Sequence, residues 1–177
     1  MIVTRTIHQN KKQTGLTILE VAVVIAVLGV VSGMALPKIN SYQSSHRISK
    51  LMDVRGSVAA AAAITHSSAL AQNKLGTKQA CTANGEIAVL SKEGHGTLCT
   101  ESHALVAFAH GYPSASADGI VAAAEIDPNE NEVLVTGNSV TIRLAGSPSP
   151  EFCQFTYTAA TAAHTIPVLS AANTSGC

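Results

Sequence analysis

Three groups of residues in this chain of 177 residues have types and spacing that could do chemistry. The first is one acid, Glu20, in an otherwise apolar stretch: residues 16–36 are 21 residues with Glu20 as the only charge. A carboxylate in hydrocarbon costs ~2.5 kcal/mol or more, so it points to a function. The second group is four cysteines, Cys81, Cys99, Cys153 and Cys177, able to form disulfides or bind metal. No C-x2-C pair occurs, so zinc does not fit the spacing. The third group is polar. His95, His103 and His110 could ligate a metal or supply a base, but no nucleophile motif and no H-E-x-x-H accompanies them. Asp127, Asn129 and Asn131 have the alternate spacing that opens a calcium loop, yet Glu132 stands where that loop needs glycine. The expectation is scattered histidines, an acidic turn, no metal and no cofactor.

The element that positions Glu20 is a helix. Twenty-one residues at ~1.5 Å rise make ~31 Å, enough to cross a bilayer core. Arg5, Lys11 and Lys12 precede it with no acid among residues 1–15, which places the N-terminus in the cytoplasm and the rest outside. A cleaved secretory signal has a shorter apolar core, although Ser32-Gly33-Met34-Ala35 imitates its cleavage site. A plain anchor accounts for the length and the basic flank but leaves Glu20 unexplained.

The segment KKQTG-LTILE, Lys11 to Glu20, resembles the N-terminus of type IV pilins and type II secretion pseudopilins. The resemblance implies a cytoplasmic leader, residues 1–15, cut after Gly15 by a prepilin peptidase that also methylates the new N-terminus at Leu16. Glu20 is then the fifth mature residue, and Pro37 falls where many members have a proline. Leu16 replaces the commoner Phe or Met, and the leader is somewhat long. The His110-Gly111-Tyr112-Pro113 segment and the CQFTYTAA…SGC ending look like the MSHA-type subgroup. The chemistry of the motif is consistent with its role. Cleavage before the apolar run leaves the helix on the mature chain and creates an amine at Leu16. That ammonium can pair with Glu20 of a neighbouring subunit, and two buried charges are tolerable paired and costly alone. Assembly is thereby assigned to Leu16 and Glu20.

Beyond Pro37, which should kink the helix without ending it, Ile48, Leu51, Met52, Val58, Ala59, Ala62 and Ala63 recur at helical spacing and predict one buried stripe. Arg47, Lys50, Asp53 and Arg55 are expected on the solvated side, and the helix end is expected near residues 73–76 with Gly76 as cap. From Lys78 the pattern is short strands. Residues 87–90 read as a strand, and 105–109 as strand or helix. Residues 132–136 and 139–144 around Gly137-Asn138 read as a hairpin, with Val140, Ile142 and Leu144 on one face. Residues 152–158 form a further strand with Cys153, Phe155 and Tyr157 on one face, and 165–169 an edge strand beside Pro167. The expected fold is α+β, a long N-terminal helix packed on a C-terminal antiparallel sheet, the pilin fold. Its organisation is leader 1–15, hydrophobic transmembrane and assembly helix 16–36, amphipathic continuation 37–76 and disulfide-bonded head 77–177.

All four cysteines lie in the part placed outside the cytoplasm, so disulfides are expected. Of three connectivities, Cys81–Cys99 with Cys153–Cys177 closes two local loops, worth ~3 kcal/mol each. The second bond also matches the disulfide-bounded region that the resemblance implies, and it fastens Cys177 at the end of the chain.

Composition narrows the function. The chain is 46% hydrophobic, 12% charged and 3% aromatic, with Lys+Arg and Asp+Glu at 11 each. Zero net charge argues against a nucleic-acid partner. The apolar content argues against disorder, and the scarce aromatics against a large aromatic-lined pocket. Removing residues 1–15 leaves 8 Lys+Arg against 11 Asp+Glu, which disfavours a DNA-binding minor pilin further. The expected function is a non-enzymatic subunit of an MSHA-like type IV pilus serving adhesion. It would be single-pass in the inner membrane before assembly and extracellular afterwards. Its partners would be identical subunits in a helical filament, the peptidase and methylase, and an inner-membrane machinery with a separate ATPase, since the chain has no P-loop. The alternatives are a type II secretion pseudopilin and a membrane-anchored periplasmic binding protein or enzyme.

Overall fold

A threonine followed three residues later by a glutamate is a helix-start signal, and the main helix begins at such a pair, Thr17 and Glu20. In the computed structural model, which describes residues 17–75, 80–81, 86–87, 94–99 and 105–177 (backbone alone for 34–41, 72–75, 80–81 and 86–87), α1 spans Ile18–Leu75. It continues through Pro37 and ends within the expected range; Gly76, the expected cap, lies outside the described residues. The chain divides into two compact units, residues 1–42 and 43–177.

In the first unit every described side chain from Thr17 to Gly33 is exposed. Among the described residues no helix is long and apolar enough to cross a membrane. The described apolar side chains run from residue 18 to 33, ~24 Å of helix against ~30 Å of bilayer core. The expected span, residues 16–36, reaches beyond them at both ends.

In the second unit all strand pairs are antiparallel between sequence neighbours. Among the described residues they form three sheets rather than one. β1 (Ala80–Cys81) pairs with β2 (Glu86–Ile87), and 88–90 of the strand expected there lie outside the described residues. β3 (Gly96–Cys99), β4 (Leu105–Ala109) and β5 (Tyr112–Pro113) make a three-stranded sheet, which settles the ambiguous 105–109 segment as a strand. β6 (Asn131–Thr136), β7 (Ser139–Leu144), β8 (Gln154–Thr158) and β9 (Val168–Leu169) make a four-stranded meander. The two larger sheets are separated by a helical turn at Ala117–Val121 that buries Ile120 completely.

The expected hairpin is present in register: Thr136 faces Ser139 and Val133 faces Ile142. Gly137, at φ 56, supplies the left-handed residue that a two-residue hairpin loop requires. Val140, Ile142 and Leu144 are buried, while Thr141 and Arg143 alternate outward. The next strand begins two residues later than expected. Pro150–Phe152 is a 3-10 turn, because a proline suits a first helical turn and cannot donate to a ladder, and Phe152 is left half exposed. Cys153, Phe155 and Tyr157 share the buried face as expected.

The helix packs on both larger sheets. Leu51, Val58 and Ala62 meet Val140, Ile142, Phe155 and Tyr157, and Ala69 meets Leu98, Val106 and Phe108. Burying Leu51 and Val58 alone contributes ~1.5–3 kcal/mol each. The stripe differs from the expected one. Met52, Ala59 and Ala63 are exposed, and Ala61, Thr65 and Ala69 are buried instead. Thr65 tolerates burial because its hydroxyl donates to the Ala61 carbonyl. An all-alanine segment has no periodicity from which to choose the face, and the sheets chose it.

Candidate functional site

Glu20 sits in the first turn of α1. Its N–H donates to the Thr17 carbonyl at 3.0 Å and lies 3.3 Å from Thr17 Oγ1, so Thr17 caps the helix. The T-x-x-E spacing would have identified Thr17, which the sequence reading passed over. A carboxylate here complements the partial positive charge of the helix N-terminus. Along the same helix Ile18 is 91% exposed, Ile25 64% and Val30 60%. These side chains are exposed among the described residues. Gly15 and Leu16, the expected cleavage and methylation residues, lie outside the described residues.

At the other end of the chain Cys153 and Cys177 are disulfide-bonded with Cα atoms 4.9 Å apart, both buried. The closing segment is held beyond the bond. Gly176 N–H donates to the Phe152 carbonyl at 2.9 Å, Asn173 and Gln154 exchange two backbone bonds, and Arg47 Nη1 donates to the Cys177 backbone oxygen at 3.2 Å. Cys99 is also disulfide-bonded. Cys81 is a residue of β1, and its side chain lies outside the described residues.

The basic residues expected to be merely solvated include structural ones. Besides Arg47, Arg55 Nε donates to the Ser170 carbonyl at 2.8 Å, and Lys50 pairs with Glu130 at 2.9 Å. Their flexible stems reach from α1 to the segment after β9 and to the loop before β6, contacts that no local pattern announces. Of the histidines, His95 and His110 meet edge to face with ring centroids 4.4 Å apart, and His103 lies outside the described residues. Among the described residues no three His, Cys, Asp or Glu come together as a metal site. The Asp127 segment is a closed turn: Asp127 Oδ1 accepts from the Asn129 backbone N–H and side-chain amide at 2.8 and 2.9 Å.

One groove of about 330 Å³ lies in the second unit, between the alanine face of α1 and the approach to β9. Ala59, Ala62, Ala63 and His66 form one wall, Ile166, Pro167 and Leu169 the other, and Tyr112 and Tyr157 also line it. His66 stacks on Tyr112 at 3.9 Å with an interplanar angle of 2°, and its Nδ1 donates to the Gly111 carbonyl at 2.6 Å. The Tyr157 hydroxyl donates to the Pro113 carbonyl at 2.8 Å; burial, then the nearby Tyr112, pushes its pKa upward. Aromatic scarcity does not prevent two of the three tyrosines from meeting here. His66 carries no sequence signal; only the fold brings it to Tyr112.

Residues 10–36 match the family described as the prokaryotic N-terminal methylation motif, a motif typical of type IV pilins and pseudopilins. No curated protein and no solved structure matches the chain.

Proposed function

We propose that this prepilin-like chain is the structural, non-enzymatic subunit of an MSHA-like type IV pilus. The observation that carries the reading is Glu20 at the head of an uncovered apolar helix, inside the matched methylation motif. In this reading a prepilin peptidase cuts between Gly15 and Leu16 and methylates Leu16. The helix, kinked at Pro37, anchors the subunit in the inner membrane with its N-terminus in the cytoplasm. During assembly the Leu16 ammonium of one subunit pairs with Glu20 of its neighbour, so that correct stagger satisfies both charges and other registers leave them apart. The second unit, stapled by Cys153–Cys177 and by a second bond between Cys81 and Cys99, forms the filament exterior and makes the adhesive contacts. A separate ATPase drives assembly.

A pseudopilin of a type II secretion system shares the N-terminal motif. The closing Cys153–Cys177 disulfide favours the pilin reading, because a bond bounding the last part of the head is the pilin pattern. The test is N-terminal sequencing by mass spectrometry of this chain in sheared surface filaments. The expected first residue is methylated Leu16. A chain beginning after Ala35, or one absent from sheared filaments and confined to the inner membrane, would refute a pilus subunit.

A further inference from the structure

We propose that the groove between α1 and the approach to β9 binds a small, neutral, flat aromatic molecule carrying one hydrogen-bond donor, of the indole or phenol class. The argument starts from His66. A carbonyl oxygen can only accept, so the 2.6 Å contact with the Gly111 oxygen fixes the ring proton on Nδ1. In the neutral ring Nε2 is then an acceptor, and it has no partner among the described residues. The molecule that satisfies it must bring a donor.

The remaining lining sets the rest of the ligand. Among the described residues no Lys, Arg, Asp or Glu lines the groove, so a charged ligand would lose its hydration without compensation from them. Ala59, Ala62 and Ala63 present only Cβ atoms, which makes a low wall that a flat ring can approach closely. Tyr112, Tyr157 and His66 supply ring faces and edges for aromatic contact. The Tyr157 hydroxyl is committed to Pro113, so that polar group does not compete. The volume of about 330 Å³ is near the lower bound of small-molecule sites, roughly 300–1,000 Å³. Ile166 is 72% exposed, and the loop before it turns through His164 at φ 65, with Thr165 bonded back to Ala162.

The inference does not depend on filament formation, and the test uses the full chain in lipid nanodiscs, with empty nanodiscs as the blank. Radiolabelled indole is the probe in equilibrium dialysis. The expected result is saturable uptake of one indole per chain above the blank. 1-Methylindole, which lacks the donor, should compete about tenfold more weakly. Ala63→Leu, at an exposed helix position on the groove wall, should abolish uptake while leaving the circular dichroism spectrum and melting unchanged. His66→Phe keeps an aromatic stack and should bring indole down to the affinity of 1-methylindole. No saturable uptake, equal binding of the two indoles, or normal binding by a folded Ala63→Leu chain would each overturn the proposal. The first of these would leave the groove to an apolar side chain of another protein.

Discussion

The Tyr157 hydroxyl donates to the Pro113 carbonyl at 2.8 Å, and this bond ties the four-stranded sheet to the three-stranded one. Both residues are buried. Tyr157→Phe keeps the ring and removes the donor, so the Pro113 oxygen is left without its partner. The expected cost is ~1–3 kcal/mol near neutral pH. The same tyrosine sets an alkaline limit. Burial, then Tyr112, raises its folded pKa above the ordinary value of about 10. The unfolded chain therefore releases a proton that the folded chain keeps. This contribution is whole below about pH 10 and is lost as pH rises from there through the folded pKa. Melting of wild type and Tyr157→Phe between about pH 7 and 11 should show a shallower alkaline loss in the variant.

Glu20→Val should leave membrane insertion intact or improve it, because the segment becomes more apolar. Cleavage after Gly15 should persist, since the scissile bond is five residues away. Filaments should vanish while processed protein accumulates in the inner membrane, because an unpaired buried ammonium costs several kcal/mol per added subunit. Glu20→Asp keeps the charge with a shorter reach and should give few filaments. Electron microscopy with a blot of membrane fractions reads both. Normal filaments from Glu20→Val would remove the assembly role of this residue.

Cys153→Ser opens a bond between residues separated by 24 positions. The expected loss is ~2–5 kcal/mol. The bonds of Arg47, Gly176 and Asn173 to this region remain possible, so the segment should loosen rather than unfold the domain outright. Thiol labelling of folded wild type should be negligible at Cys153 and Cys177, and Cys177 should label in the variant. Labelling of both in the unreduced wild type would contradict the bond.

Two glycines should respond in opposite directions to alanine. Gly56 lies in α1 with nothing within 4 Å of an added Cβ. Gly56→Ala should stabilise by ~0.8–1 kcal/mol through helix propensity. Gly94 has φ +75, and an added Cβ would lie 2.4 Å from Gly111 N. Its carbonyl also accepts from that N–H at 2.9 Å. Gly94→Ala should therefore destabilise by more than ~1 kcal/mol and separate the turn after β4 from the start of β3. Chemical denaturation of both variants checks the signs.

The sequence by itself determined what depends on near neighbours in the chain. The matched N-terminal motif, the uninterrupted helix through Pro37, the 137–138 hairpin and the buried face of Cys153, Phe155 and Tyr157 rest on spacing, turn chemistry or alternation, all local quantities. The closing disulfide was legible because its loop is short. Tertiary structure alone decided the rest. The alanine-rich half of α1 has little hydrophobic contrast between its faces, so only the sheets could select Ala61, Thr65 and Ala69 for burial over Ala59 and Ala63. The burial of Ile120 in one core with Val140, Ile142 and Phe155 has no local signal either. The reach of Arg47 and Arg55 to the end of the chain, and the meeting of His66 with Gly111 and Tyr112, join residues far apart in sequence. Such pairs leave no periodic trace, because their energy comes from geometry that exists only once helix and sheets have packed.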